Sequence, residues 1–217
     1  MERMQYTGRI CLESNWTETI IRASQRKEKY NILGMLYERS GVMIKDSGDR
    51  TEFDTGAVRD MHEGKGRCDL LPLEEVCGLI HHEQVGDVML TGTPLLLLDQ
   101  YLKSIRSGSD AWIDEHIFYC ALIRFAKQNK WDVPTMLLEA SVHFEQGAAK
   151  YGEYNWQKGI PAHSYVDSAI RHYLKWLRGD DDERHDRAFV WNMLCLMWTL
   201  KNRPECNDLK ESDRDVD

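Results

Sequence analysis

The chain has 217 residues, 42% of them hydrophobic and 29% charged, which suits one main globular domain and excludes a disordered chain. Its formal net charge of −8 argues against a dedicated binder of duplex nucleic acid, which presents a basic surface. The acidity is concentrated late: Gly179 to Asp217 carries eleven acidic and six basic residues.

Residues 1–42 show two helical pieces, around Thr17–Arg26 and Lys27–Glu38, and read as an N-terminal extension that is weakly structured or partly helical. The Gly-, Asp- and charge-rich stretch Lys45–Asp69 has no sustained period and reads as loop. Pro72 then opens a short helix, LEEVCGLIHH, with carboxylates in its first turn where the helix dipole favours them. TPLLLLDQYLKSI follows a Gly/Thr break and stops at the SGSD turn. Asp110 is placed to cap AWIDEHIFYCALIRFAKQN, whose Ile117, Cys120 and Ile123 share an apolar face with Trp112, Ile113 and His116. Asp132 is placed to cap the next helix, which starts at Pro134 and stops at Gly152. The loop EYNWQKGIP leads to AHSYVDSAIRHYLKWLR, ended by Gly179, with Ile170, Tyr173 and Leu177 as its apolar side. The acidic run Asp180–Glu183 begins the last helix, stopped at Asn202-Arg203-Pro204, and residues 205–217 form a polar tail.

No segment alternates as a strand would, so the fold class is all-α, with residues 43–204 as the main domain. The six cysteines (Cys11, Cys68, Cys77, Cys120, Cys195, Cys206) lack CxxC or zinc-ligand spacing. Neither a secretory signal nor a membrane-length apolar run is present, and a reducing cytoplasm with free thiols is the expectation (the host's, if the chain is phage-encoded). Cys195, in a Trp- and Leu-rich helix, reads as a buried structural thiol.

Three successive helices carry polar residues at helical spacing. Glu139, His143 and Gln146 share one side of the first. Asp167, Arg171, Leu174, Lys175 and Arg178 share a side of the second, with His172 adjacent; Asp182, His185, Phe189 and Asn192 line the third. Carboxylates from neighbouring helices are how bundles hold Mg²⁺, which takes hard oxygen ligands and bridges to phosphates. Glu139, Asp167 and members of Asp180–Glu183 would supply oxygen; Arg171, Lys175 and Lys150 would supply positive charge, with Asn155 and Asn192 as neutral partners. Lys65 and Arg67 flank a glycine in GKGRCD and could close over phosphates, or simply pack before Pro72. Spacing equally allows the Asp180–Glu183 run to be a helix cap, His172 and His185 to be core histidines, and Trp156 to be core or to stack on a base.

Three runs narrow these options: DTGAVRDMHEGKGRCDLLPLE, HFEQGAAKYGEYNWQKGIPAHSYVDSAIRHYLKWLRG and DDERHDRAFVWNMLCLMW. Together they resemble the phage dATP/dGTP diphosphohydrolase (MazZ-like) family, a branch of the all-α MazG-type nucleotide pyrophosphohydrolases. K-Y-G-x-x-N-W-x-K-G, from Lys150 to Gly159, is compositionally unusual, and H-x-x-x-x-x-W-N, from His185 to Asn192, follows in the expected order. The resemblance implies hydrolysis of dGTP or dATP to the monophosphate and pyrophosphate, with Mg²⁺ or Mn²⁺, in a homo-oligomer (dimer or tetramer). It implies no nucleic-acid polymer or membrane as partner. It points to Glu139, Asp167 and His185 as catalytic, and to Glu139, Asp167, Asp182, Glu183 and Asp186 as metal ligands. Lys65, Arg67, Lys150, Asn155, Trp156, Lys158, Arg171, His172, Lys175 and Asn192 would bind substrate.

The chain departs from the MazG-type pattern of EExxE followed by ExxD. Glu183–Asp186 fits ExxD, but Glu74-Glu75 lacks its third glutamate because position 78 is Gly. Residues 81–131 look like a helical insertion. Two rival functions remain: an HD-type phosphohydrolase, prompted by His172 and His185-Asp186, and a non-enzymatic scaffold built on the Trp-rich helices.

Overall fold

The computed structural model describes residues 48, 50–60, 63–85, 91–107 and 111–209. The two expected N-terminal helical pieces, the Asp110 cap and the end of the polar tail lie outside the described residues. The chain forms two compact units, Met1–Met61 and His62–Asp217.

In the first unit the stretch read as loop contains an antiparallel hairpin, β1 (Arg50–Glu52) with β2 (Val58–Asp60), paired Arg50 to Asp60 and Glu52 to Val58. The turn closes through the Phe53 N–H donating to Ala57 (2.9 Å) and the Gly56 N–H donating to Phe53 (2.8 Å). Strands of three residues with almost no buried side chain have no inward face, so no apolar alternation marks them.

The second unit is all-α. Six α-helices occupy its described residues: α1 (Leu73–Val85), α2 (Pro94–Ser107), α3 (Ala111–Gln128), α4 (Val133–Tyr151), α5 (Ala162–Arg178) and α6 (His185–Asn202). None is long and apolar enough to cross a membrane. Their limits follow from local chemistry. Asp132 caps α4 by accepting the Thr135 N–H at 2.8 Å, Pro134 sits in the first turn, and Gly152 closes the end. Gly179 ends α5 in the left-handed region (φ 85°), its N–H donating to the Lys175 and Trp176 carbonyls.

The core is one apolar cluster to which every helix contributes. α5 packs along α6, α2 along α3, and α4 against α6. α5 buries Ala162, Tyr165, Ala169 and Tyr173, whereas Leu177, expected on the apolar side, is 58% exposed. The buried stripe passes one residue to the side of Leu177 because Trp176 takes the inward position there, its Nε1–H donating to Asn129 at 3.1 Å. Phe125 of α3 is the aromatic hub, with ring centroids at 4.5 Å from Phe189, 5.0 Å from Trp176 and 6.0 Å from Tyr173. Each such ring pair adds about 0.5–1.5 kcal/mol beyond burial. α2 and α3, the segment that reads as an insertion, therefore supply core through Leu97, Leu98, Tyr101, Phe118, Leu122 and Phe125.

Candidate active site

The turn between α5 and α6 brings His172 and His185 together across thirteen residues, their Nδ1 atoms 3.0 Å apart. His185 is buried, and its Nε2–H donates to Asp182 Oδ1 at 2.8 Å. Lys175 Nζ donates to the other oxygen of Asp182, also at 2.8 Å. Those two bonds, the Lys175 one foremost, hold the Asp182 carboxyl down at about 2. Glu183 places a carboxylate oxygen 4.0 Å from His172 Nδ1. Burial lowers the His172 pKa against the pull of Glu183, while His185, Arg171 and Lys175 push the same way as burial. His172, Glu183 and His185 form one group able to hold a divalent cation; Asp180, Asp182 and His185 form another. The acidic run is thus no side-chain cap for α6, whose N-cap residue, Arg184, makes no side-chain capping bond.

Beside the cluster lies an open cavity of about 390 Å³, lined by the aromatic side chains of Phe144, Tyr151, Tyr154, Trp156 and Trp191, with Gly147, Ala148 and Gly152 as its small side. His143 joins cavity to cluster. It lines the cavity, packs at a tilt with its ring centroid 5.6 Å from that of Trp191, and has a pKa lowered first by burial, then by His172 and Arg187, with Glu183 opposing. Lys150 lies over the Tyr151 ring at 4.9 Å, and its pKa is raised by Tyr151 and, more weakly, by Glu183.

The loop through Gly64–Arg67 is fastened to α4. Glu145 accepts the N–H groups of Gly64 (3.2 Å) and Gly66 (3.0 Å), and the Arg67 N–H donates to the Ser141 carbonyl at 3.0 Å. Gly66 is required twice over. Its φ is 85°, and a Cβ there would stand 2.1 Å from Ser141 Oγ. The Arg67 side chain donates to Asp69 and to Glu153 at 2.7 Å, which raises its pKa.

The expected site residues distribute unevenly over this frame. His172, Lys175, Asp182, Glu183 and His185 come together, and Asn155 and Trp156 line the cavity. Trp156 is a buried wall, edge-on to Trp198 at 4.9 Å. Glu139 lies under arginines, accepting from Arg184 at 3.0 Å and Arg187 at 2.7 Å, and Asp186 accepts from Arg184 at 2.9 Å. Asp167 pairs with Arg171 one turn along the same exposed face of α5. Among the described residues neither Glu139, Asp167 nor Asp186 joins a group of metal-capable side chains. Lys65 and Lys158 are exposed, and Asn192 is buried with its amide donating to the Ala188 carbonyl at 2.8 Å. Residue spacing singled out neither Arg184 nor Arg187; their one sequence signal is a position in the first turns after an acidic run.

The Glu74-Glu75 pair has a different setting. Glu75 is fully buried, and Lys201 of α6 bridges to it at 3.0 Å, to Glu115 at 3.0 Å and to Glu74 at 3.5 Å. Gly78 stands where a third glutamate would complete EExxE because the Tyr119 hydroxyl packs there: a Cβ on Gly78 would meet it at 2.1 Å.

Residues 119–209 match the family model described as dATP/dGTP diphosphohydrolase, N-terminal. No curated protein and no solved structure gives a match.

Proposed function

We propose, from the match of residues 119–209 to the dATP/dGTP diphosphohydrolase family model, that the chain hydrolyses purine deoxynucleoside triphosphates to dNMP and pyrophosphate. The observation that carries the reading is the adjacency, through His143, of an aromatic cavity to a histidine–carboxylate cluster. The cavity volume falls in the range of small-molecule sites, about 300–1,000 Å³. Its aromatic walls offer faces to a purine, and its Gly147–Ala148 side leaves room for the ring.

In this reading the sugar leaves the cavity past His143 and the triphosphate lies over the cluster. Lys150, Arg171 and Lys175 supply positive charge, each close enough to Glu183 or His172 to move its pKa or be moved by it. Lys65, Arg67 and Lys158 guard the rim. Arg184 and Arg187 are held in place by Glu139 and add charge near the breaking bond. A carboxylate, Glu139 or Glu183, takes the proton of a water that attacks one of the two phosphorus atoms flanking the α–β bridge. The bridging bond breaks and pyrophosphate departs. A divalent cation, Mg²⁺ or Mn²⁺, would supply charge neutralisation on the leaving group when bound, and Asp180 and Glu183 are the carboxylates near His185 that would help hold it. Asp167 acts through Arg171. Pairing of protomers is part of the same reading, and exposed Leu138, Leu174 and Leu177 are the side chains available for it.

The test is product identification after incubation with dGTP, dATP, dCTP and dTTP plus Mg²⁺ or Mn²⁺. Pyrophosphate and dNMP from the purine substrates are expected. Triphosphate and nucleoside would replace the reading with HD-type chemistry, which the His172–His185 contact favours on geometry, and absence of turnover would leave a scaffold.

A further inference from the structure

The donor atoms between α5 and α6 are not those a magnesium ion selects. Mg²⁺ takes oxygen ligands and keeps several waters, whereas imidazole nitrogen suits later transition ions such as Co²⁺, Ni²⁺ and Zn²⁺, with Mn²⁺ the weakest of the series. Here two imidazole nitrogens stand in contact. With metal–nitrogen bonds of about 2.1 Å, two cis ligands of an octahedral ion stand about 3.0 Å apart and two trans ligands about 4.2 Å apart. His172 Nδ1 and His185 Nδ1 stand 3.0 Å apart, and Glu183 Oε2 is 4.0 Å from His172 Nδ1.

Which His185 nitrogen is available to an ion is set one contact further out. A carboxylate only accepts, so the hydrogen in the 2.8 Å contact between His185 Nε2 and Asp182 belongs to the imidazole. That leaves Nδ1 of the neutral ring as the nitrogen free to donate a lone pair. Asp182 is itself tied by Lys175, so the orienting group is fixed before any ion arrives. Carboxylate–histidine–metal chains of this kind fix tautomer and ring orientation at known metal centres. His185 can adopt no other pose cheaply, since its side chain is only 1% exposed. In the protein without an ion the short nitrogen–nitrogen contact must hold a proton; a dication can occupy the same space with both lone pairs turned toward it.

We infer that His172 Nδ1, His185 Nδ1 and the Glu183 carboxylate form a site for one divalent transition ion, Co²⁺ or Zn²⁺ before Mn²⁺, with Asp182 orienting His185. Mg²⁺ is then the ion that accompanies the nucleotide phosphates rather than the one resident between the helices. The inference names the metal class of the site described under the proposed function, and rests on that reading only for what the ion is used for.

The experiment is direct binding without nucleotide. The full chain is stripped with a chelator, checked for intact helix content by circular dichroism, and titrated with Co²⁺ by calorimetry and visible absorption. One Co²⁺ per chain is expected, with a d–d band, and with no displacement by Mg²⁺ in large excess. His172→Gln and His185→Gln should each weaken binding by at least about a hundredfold, and Asp182→Asn, which removes only the orienting acceptor, by about 10–100-fold. His163→Gln, at an exposed histidine paired with Asp208, should bind Co²⁺ like the parent. If buried His185→Gln fails to fold, the half-buried His172 decides. Equal Co²⁺ affinity in His172→Gln, or loss of Co²⁺ to Mg²⁺, overturns the site. Co²⁺ binding through both histidines in a protein that releases no pyrophosphate sustains the site and overturns the hydrolase reading, so the two fail separately.

Discussion

Two single residues show how burial and close packing set local chemistry. His143 has a pKa lowered from 6.5 chiefly by burial, so the folded chain holds it neutral where the unfolded chain begins to protonate it. A depressed folded pKa contributes stability that is present above about 6.5 and is lost as pH falls through the folded value. Urea denaturation at about pH 7.5 and about pH 5.5 should therefore show the parent losing more stability on acidification than His143→Asn does. Equal losses would mean that burial does not discriminate between the two charge states of His143. Gly78 is the second case. Alanine in a helix interior normally gains about 1 kcal/mol over glycine, but overpacking a tight core costs about 1–3 kcal/mol. The Cβ of Gly78→Ala would meet Tyr119 at 2.1 Å and 2.5 Å, and Tyr119 is itself buried. A net fall in melting temperature is expected; a rise would show that Tyr119 moves aside freely.

At the scale of elements, the bundle is tied end to end by an ion pair that joins residues 126 positions apart. Lys201 on α6 neutralises Glu75 on α1, and burial otherwise pushes the Glu75 carboxyl up. Removing one partner of a buried pair leaves an uncompensated charge, which costs about 3–5 kcal/mol, whereas removing both is far milder. Lys201→Met should thus destabilise by about that much in denaturant, and Lys201→Met with Glu75→Gln should recover most of it. A double variant no better than the single would dissolve the pairing argument. The same cluster marks what residue order can and cannot reveal. Helices α1 to α6 were legible because their apolar periods end at identifiable stops such as Gly152, Gly179 and Pro204. The hairpin was not, because strands of three exposed residues carry no pattern. The site was half legible. Periodicity within a helix put Glu139 beside His143 and Asp182 beside His185, but it cannot say which helix faces which. Hence the pairings of His172 with His185, of Glu139 with Arg184 and Arg187, and of Glu75 with Lys201 emerged only once the helices were packed.

For the molecule as a whole, the division of labour between cavity and surface bears on assembly. α5 faces α6 with Tyr165, Ala169 and Tyr173, yet it also presents Leu174 and Leu177 outward, each more than half exposed and one turn apart. Such a pair sits beside Arg171 and Arg178, which are neutralised by Asp167 and Asp180 of the same chain. Apolar side chains flanked by self-compensated charges suit a contact between two copies of one helix, where like charges would otherwise repel. The proposed homo-oligomer should then depend on this edge. Light scattering coupled to size exclusion should give a dimer or tetramer for the parent and a lighter species for Leu174→Glu with Leu177→Glu. Circular dichroism should be unchanged, because neither leucine belongs to the core. Because neither leucine belongs to the His172–Glu183–His185 group, the dissociated variant should keep its Co²⁺ affinity even if nucleotide turnover falls. A parent that is monomeric at all concentrations, or a double variant of unchanged mass, would remove α5 from any interface.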